Sequence, residues 1–526
     1  MDARFDSFVL AKARRTRARR RANAGERPLN NPVSLITILR RMRRHDMSRW
    51  WRIGRMILGM AIGMGVLGEG HTEIVRGLSS SSSCAVGTPP PRQQPVDALF
   101  PNAYYDYLLN GLQIILLERP EASEAVLSLM IKSGAAFDRA GKSGTAALTA
   151  RAIWLGAEDL SEATLRQRLA ALEATLRTEV TWDATTITVE APARGLPELI
   201  RLMARVVSRP TFEAEALMAL KARFLDEVRA KRRDPSQIAD EEWYRALYHP
   251  HPYARPAEGV PEEIAAITPV DIARHHARFF IANNATLIVL SPFSPATLMP
   301  LIRPNFGAML KGKIVPPTFV APAPAQGVRI LLRDLPDAPL AHIRIGSFGL
   351  ERFSEDYVPT LMLAEVIRLR LEREASKGGV PLADVRCRFD LRTHRGPFLL
   401  SFAVPNEQVV SAIERALGIL RAMRAEGPTA EELAEAQRRW EERFTPNALA
   451  PRQLVEALHF VELHGLGRDY VPRFPARVQR VTREEVMRVA EKYLSPNDLL
   501  IVVVGRTQGL VEALTPLGAV EVKSSG

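Results

Sequence analysis

Metal-assisted hydrolysis needs imidazoles and carboxylates converging on one point, so the ten histidines of this chain are the first residues to test. The densest group is His459-Phe-Val-Glu462-Leu-His464. On a helix, the five-residue step between its two histidines turns the chain through about 500°. Their rings then diverge, and the spacing predicts ordinary helix-face residues rather than a zinc site. His275 and His276 are adjacent and point to different sides of their helix. His249 and His251 lie in an HPHPY loop, which could meet a metal adventitiously but whose prolines predict a structural turn. No nucleophile elbow, P-loop or dinucleotide fingerprint occurs in a strand-to-helix context. The cysteines are Cys84 and Cys387 alone, which excludes a disulfide framework and a Cys-rich zinc site.

The elements that would position any such residues are organised by a repeat. Residues Ile267–Ser291 and Val481–Gly505 align without a gap at an offset of 214 (481 − 267). Thr268/Thr482, Arg274/Arg488, Asn283/Asn497 and Val289/Val503 are identical in the two copies. Each copy has a Thr at a helix N-cap, an amphipathic helix, a break, and an apolar run suited to a buried strand. Solenoid repeats recur at roughly 20–50 residues, so this wider spacing predicts two copies of a whole domain.

In the first half, strand character over 107–120 and 124–134 is followed by a Gly-initiated helix over 144–156. A helix at 162–174 and alternating strand residues over 181–192 come next, then amphipathic helices at 196–208 and 212–234. An irregular loop at 248–259 leads into the first repeat copy. This order of LNGLQI, a strand ending in Lys-Ser-Gly, the Gly-initiated helix, a long helix bearing Asp226-Glu227, and the HPY loop resembles the pitrilysin/insulinase (M16) zinc peptidases. It is similar in particular to their half-size subunits, those of mitochondrial processing peptidase and the core proteins of respiratory complex III, over roughly residues 100–520. The resemblance implies an α+β chain of two homologous domains, each a mostly antiparallel sheet backed by helices, the LuxS/MPP-like metallohydrolase fold.

The family's catalytic motif is His-x-x-Glu-His, with two zinc ligands four residues apart on one helical face and a general base between them. The matching window is Ala147-Leu148-Thr149-Ala150-Arg151. Ala147 and Arg151 stand at the ligand positions and Ala150 at the base, and none of the three can do that chemistry. Arg151 also brings a permanent positive charge. Glu227 matches the family's third ligand, but a single carboxylate cannot hold a zinc, so a solvated or ion-paired role is expected for it. No metal is expected in this chain, the zinc residing in a presumed partner.

VPPTFVAPAPAQG (315–327) reads as a Pro/Ala-rich linker. Beyond it, a strand at 340–349 and a helix at 358–374 repeat the first half's order, with helices at 406–427, 429–444 and 451–464. Trp440-Glu441 stands where the first half has Asp226-Glu227. The family's peptide-binding Arg and Tyr map to Arg373 and to Asp384, so Arg373 is the candidate substrate contact and the Tyr is missing.

The formal charge of +12 is local. Residues 1–55 hold 16 Lys/Arg and 4 Asp/Glu, leaving 71 − 16 = 55 basic and 59 − 4 = 55 acidic residues elsewhere. A body without net charge offers no electrostatic basis for nucleic-acid binding. A basic flank before the apolar run 56–68 fits a signal peptide or short anchor within 47–76. Met47 would start that signal, leaving 1–46 as a disordered arm or an extension. Residues 77–99 read as a linker, and Cys84 ends a weak lipid-attachment pattern. The expected domains are therefore 100–315 and 328–520, joined by 316–327, in an exported, periplasmic or cell-envelope protein. The function implied by resemblance is a non-catalytic subunit that pairs with a catalytic homologue, or with itself, and holds extended peptides. The alternatives are a structural core protein and, least favoured, a peptidase with atypical ligands.

Overall fold

Apolar runs such as ATLIVLS (285–291) and LIVVVG (500–505) are buried along their whole length, which requires cover on both faces of a sheet. The computed structural model describes residues 103–523, apart from 324–325, 353, 377–379 and 445–448. The expectations for the basic arm, the apolar run 56–68, Cys84 and the 77–99 linker lie outside the described residues. No helix among the described residues is long and apolar enough to cross a membrane.

The first half contributes β1 (Ala103–Tyr107), β2 (Gln113–Glu118), β3 (Glu124–Ile131), a small ribbon of β4 (Gly156–Ala157) and β5 (Leu160–Ser161), β6 (Thr175–Val180), β7 (Thr185–Pro192) and β8 (Ala285–Ser291). Its main sheet has the order β1-β2-β8-β3-β7-β6. The second half contributes β9 (Arg329–Asp334), β10 (Ala341–Phe348), β11 (Ala383–Phe389), β12 (Pro397–Val404), β13 (Leu500–Gly505) and β14 (Ala519–Lys523). Its sheet has the order β11-β12-β10-β13-β9-β14. Five strands therefore correspond in order, and β8 and β13, from the two repeat copies, hold the same place. Only the outer edges differ: β1 pairs antiparallel with β2, whereas β14 pairs parallel with β9. Antiparallel pairs predominate in both sheets, and helices back them, so the chain is α+β as its sequence suggested.

Several strands were not evident from sequence pattern. β1 and β2 form a hairpin around the Asn110-Gly111 turn rather than one strand from residue 107. β6, β9, β11, β12 and β14 were missed outright, as was the β4–β5 ribbon. β6 and β11 are edge strands of mixed polar residues with a half-exposed pattern, so they lack the continuous apolar run that marks a central strand.

The second cover for each sheet comes from the opposite half. Helix α1 (Pro235–Tyr248) of the first half lies on β13 and β10, and α2 (Pro451–His464) of the second half lies on β8 and β3. Along β13, Ile501 and Val503 face the second half's own core, while Leu500, Val502 and Val504 face the α1 aromatics. Likewise Leu287 and Val289 of β8 face one core, and Ile288 and Leu290 the other. Alternating side chains thus serve two cores at once. Trp243 is fully buried at this crossing and donates from Nε1 to the Leu500 carbonyl at 3.2 Å. Its ring needs a glycine opposite: a Cβ on Gly346 would lie 2.8 Å from Trp243 Cζ2 and 2.1 Å from the Phe398 oxygen.

The repeat helices open on the Thr N-caps their sequences imply, each completed as a capping box, Thr268 with Asp271 and Thr482 with Glu485. Asp356 anchors the second of them. Its carboxylate takes Arg488 at 2.7 Å, Lys492 at 2.8 Å and the Tyr493 hydroxyl at 2.7 Å. Burial opposes its ionisation, but these three donors outweigh it and hold the carboxyl down at about 2. A depressed carboxyl contributes stability present above its unfolded value of 3.8 and lost as pH falls through the folded one. Asp356→Asn is therefore expected to lose about 2 kcal/mol at neutral pH. Acid unfolding curves should show a smaller drop between about pH 4 and 2 for the variant than for the native chain; equal drops would contradict this anchor.

Candidate functional site

The helix that opens after Gly144, α3 (Thr145–Ala152), has no side-chain cap of its own. Asp138 supplies one from the preceding loop: its carboxylate accepts from Gly144 N at 2.8 Å and from Ala146 N at 2.9 Å. Gly144 takes a left-handed φ of 93°, and a Cβ there would lie 2.7 Å from the Glu258 oxygen. Burial drives the Asp138 carboxyl up to about 7, against those backbone donors. This fixes where α3 presents Ala147, Ala150 and Arg151.

Arg151 reaches across to the long helix α4 (Ala214–Lys231). Its Nη1 donates to Glu227 Oε2 at 2.8 Å, and its guanidinium lies 4.4 Å from the centre of the Phe224 ring. Residues 224 and 227 are neighbours on one helical face, so the two contacts hold a single arginine. Ala147 lies on the same face of α3, and Ala150 is fully buried. A zinc ion does not fit this donor set: the one carboxylate is bound to a guanidinium, and the ligand positions carry a methyl and a cation. Among the described residues, no three His, Cys, Asp or Glu side chains come together as a metal site would require. The second half uses the same bridge with reversed charge. Glu365, at Arg151 + 214, lies on the helix Tyr357–Ser376 and meets Arg443 at 3.3 Å from the Ala430–Arg443 helix.

Arg151 and Ala147 line a cavity of about 890 Å³ together with Thr178, Glu179 and Val180 of β6 and with Arg388 and Arg392 of the second half. Among the described residues β6 pairs only with β7 and so presents a free edge. α3 packs directly against it. Sequence reading missed β6; its alternation TLRTEV was the available signal. An edge with unpaired backbone groups can accept an extended chain as a further strand, and this one lies beside the Arg151–Glu227 pair.

The other candidates are placed elsewhere. Arg373 is half exposed and 3.6 Å from Glu432, lining a separate surface pocket of about 410 Å³ rather than the Arg151 cavity. Asp384 sits at a bulge of β11 with a positive φ of 53°. His459 is the ninth residue of α2 as Trp243 is of α1 (459 − 451 = 243 − 235). It does the same work: its Nε2 meets Ser128 Oγ of β3 at 2.9 Å. Burial, then Lys132, lowers its pKa to about 3. Glu462 accepts from Gln113 of β2 at 2.8 Å, and buried His464 packs on Phe460. His459 and Glu462 therefore join one half to the other. His275 is buried with Nδ1 3.9 Å from Asp138, while His276 donates from Nε2 to the Val207 carbonyl at 2.8 Å. His251 caps a short turn through the Tyr253 amide at 3.1 Å and is buried. His249 caps the end of α1.

The cavity's far wall holds a feature that the sequence did not single out. Arg392, on the β11–β12 connection, is buried in a cage of first-half rings, 4.0 Å from Trp182, 4.9 Å from Tyr244, 5.7 Å from Tyr248 and 5.1 Å from Tyr253. Its Nη2 donates to the Tyr244 hydroxyl at 3.1 Å. Beside it, Asp183 accepts from Tyr253 and, at 3.0 Å, from Thr393 N.

Comparison with known proteins bears on this architecture. Residues 113–260 match the insulinase (peptidase family M16) pattern, and residues 266–439 match the peptidase M16 inactive domain. The beta subunit of mitochondrial-processing peptidase from Blastocladiella emersonii is 20% identical over 271 residues, covering 51% of this chain and 57% of that protein. The chain thus matches little more than half the length of that relative. Among solved structures, a peptidase M16 inactive domain from Pseudomonas fluorescens superposes with a TM-score of 0.72 at 22% identity, covering 77% of this chain and 98% of that one. A chain of complex III2 from Candida albicans superposes with a TM-score of 0.66 at 15% identity, covering 77% and 97%.

Proposed function

Because the chain belongs to the M16 (pitrilysin/insulinase) peptidase family, as a half-size member, we propose that it is a non-catalytic subunit of a zinc peptidase. It holds extended peptides along β6 and contributes its cavity to a chamber shared with a homologue that carries His-x-x-Glu-His. The observation that carries this reading is the Arg151–Glu227 ion pair at the metal position, beside a free strand edge. A chain that keeps such an edge without hydrolytic groups is suited to holding peptide, not cutting it. Its place of work is the cell envelope, reached through the apolar run 56–68.

The test is a peptidase assay on this chain alone, on a homologue with an intact motif alone, and on the mixture. Activity is expected in the mixture well above the sum of the two. Zinc-dependent hydrolysis by this chain alone would overturn the proposal. The likeness to a complex III chain favours a second reading, a structural core protein. On that reading the two chains co-elute as a complex but the mixture cleaves no faster than the homologue by itself.

A further inference from the structure

We infer that Arg151 is the group that grips the backbone carbonyl of a peptide lying on β6, a guanidinium doing the positioning for which catalytic relatives use a metal. This rests on the peptide-holding role proposed above. A guanidinium has five N–H donors in a rigid plane, and here two contacts fix that plane. The Phe224 ring lies beneath it, and Glu227 takes one donor through Nη1. The Arg151 side chain remains 30% exposed and lines the cavity beside Thr178, Glu179 and Val180. Ala147, one turn earlier, has only a methyl group and lines the same cavity.

The local charge selects the ligand. Glu227 is 56% exposed and neutralises the arginine. An acidic peptide side chain would meet that carboxylate as well as the guanidinium, whereas a neutral backbone carbonyl meets only the donor. A charge-assisted hydrogen bond to a carbonyl holds the chain in register without activating water, so the peptide is retained uncut. The ligand class is therefore an extended peptide, recognised through its main chain with little dependence on side-chain charge.

A fluorescein-labelled peptide of about 14 residues, longer than an edge strand, serves as the probe, with a non-repeating sequence of Thr, Val, Ser and Gln. Binding to the full chain is read by fluorescence anisotropy. Arg151→Met keeps the apolar stem over Phe224 and removes the donors; its Kd is expected to rise about tenfold. A set of peptides carrying one thioamide each, a poorer acceptor than an amide, locates the gripped carbonyl. One position should weaken binding to the native chain about tenfold and leave Arg151→Met unaffected. If no position behaves so, or if every thioamide costs both proteins the same, Arg151 does not hold the carbonyl. A peptide N-methylated at alternate residues separates the two ideas. Binding as tight as the parent's would remove strand addition to β6 itself, and the present inference with it.

Discussion

A chain carrying Ala147→His and Arg151→His is expected to bind about one zinc ion per molecule, and the native chain none. The two positions are one helical turn apart and face the same cavity, so two imidazoles placed there converge as a metal requires. Removing Arg151 also frees Glu227, now held at 2.8 Å, to act as third ligand. Affinity should be micromolar or tighter, on the order of 8 kcal/mol or more. Metal analysis after gel filtration measures it, and adding Glu227→Gln to the double variant should strip the metal again. Peptide hydrolysis should stay at background, because Ala150 supplies no base and its site, fully buried, does not open on the cavity. A double variant without zinc would mean that α3 does not present 147 and 151 toward Glu227.

Arg392→Ala should be the most destabilising single change at the seam between the halves. Arg392 is 5% exposed, and its guanidinium lies against four aromatic rings and bonds to Tyr244 and Asp390. Its loss leaves a void lined by ring faces and a carboxylate with one fewer partner. Breaking such a buried ion pair costs about 3–5 kcal/mol, with a further contribution from the stacking. Urea unfolding followed by tryptophan fluorescence is the measurement, since Trp182 forms one wall of the cage. Arg392→Lys should recover little, because an ammonium cannot stack flat between rings. A cost below about 1 kcal/mol, the range of an exposed pair, would show that the cage does not bear on the seam.

The duplication was legible in the sequence because the two repeat copies keep their caps and apolar runs, and β8 and β13 occupy matching places in their sheets. The helix α3 was legible as well, although it ends at Ala152 rather than continuing to 156, where β4 begins. The strand that matters most for peptide binding was not. β6 reads TLRTEV, a half-polar edge; its alternation marks an extended segment, but only the neighbour it pairs with places it in the sheet. The exchange of α1 and α2 was hidden as well. Sequence pattern marked α2 as a helix but not α1, and an amphipathic pattern says that a helix has a buried face but not which sheet receives it. That is why His459 could be set aside as a metal ligand from its spacing alone, while its contact with Ser128 had to be seen.

What the sequence settled by itself was chemical identity: alanine at 147 and 150 and arginine at 151 cannot coordinate or deprotonate anything, wherever the fold puts them. The tertiary structure alone decided what those residues do instead. Glu227 is bound to Arg151 across 76 residues of chain, and Thr393, next to Arg392, is bonded to Asp183 across 210. Contacts at such separations are selected by how helices and sheets pack, and no local pattern of residues encodes them.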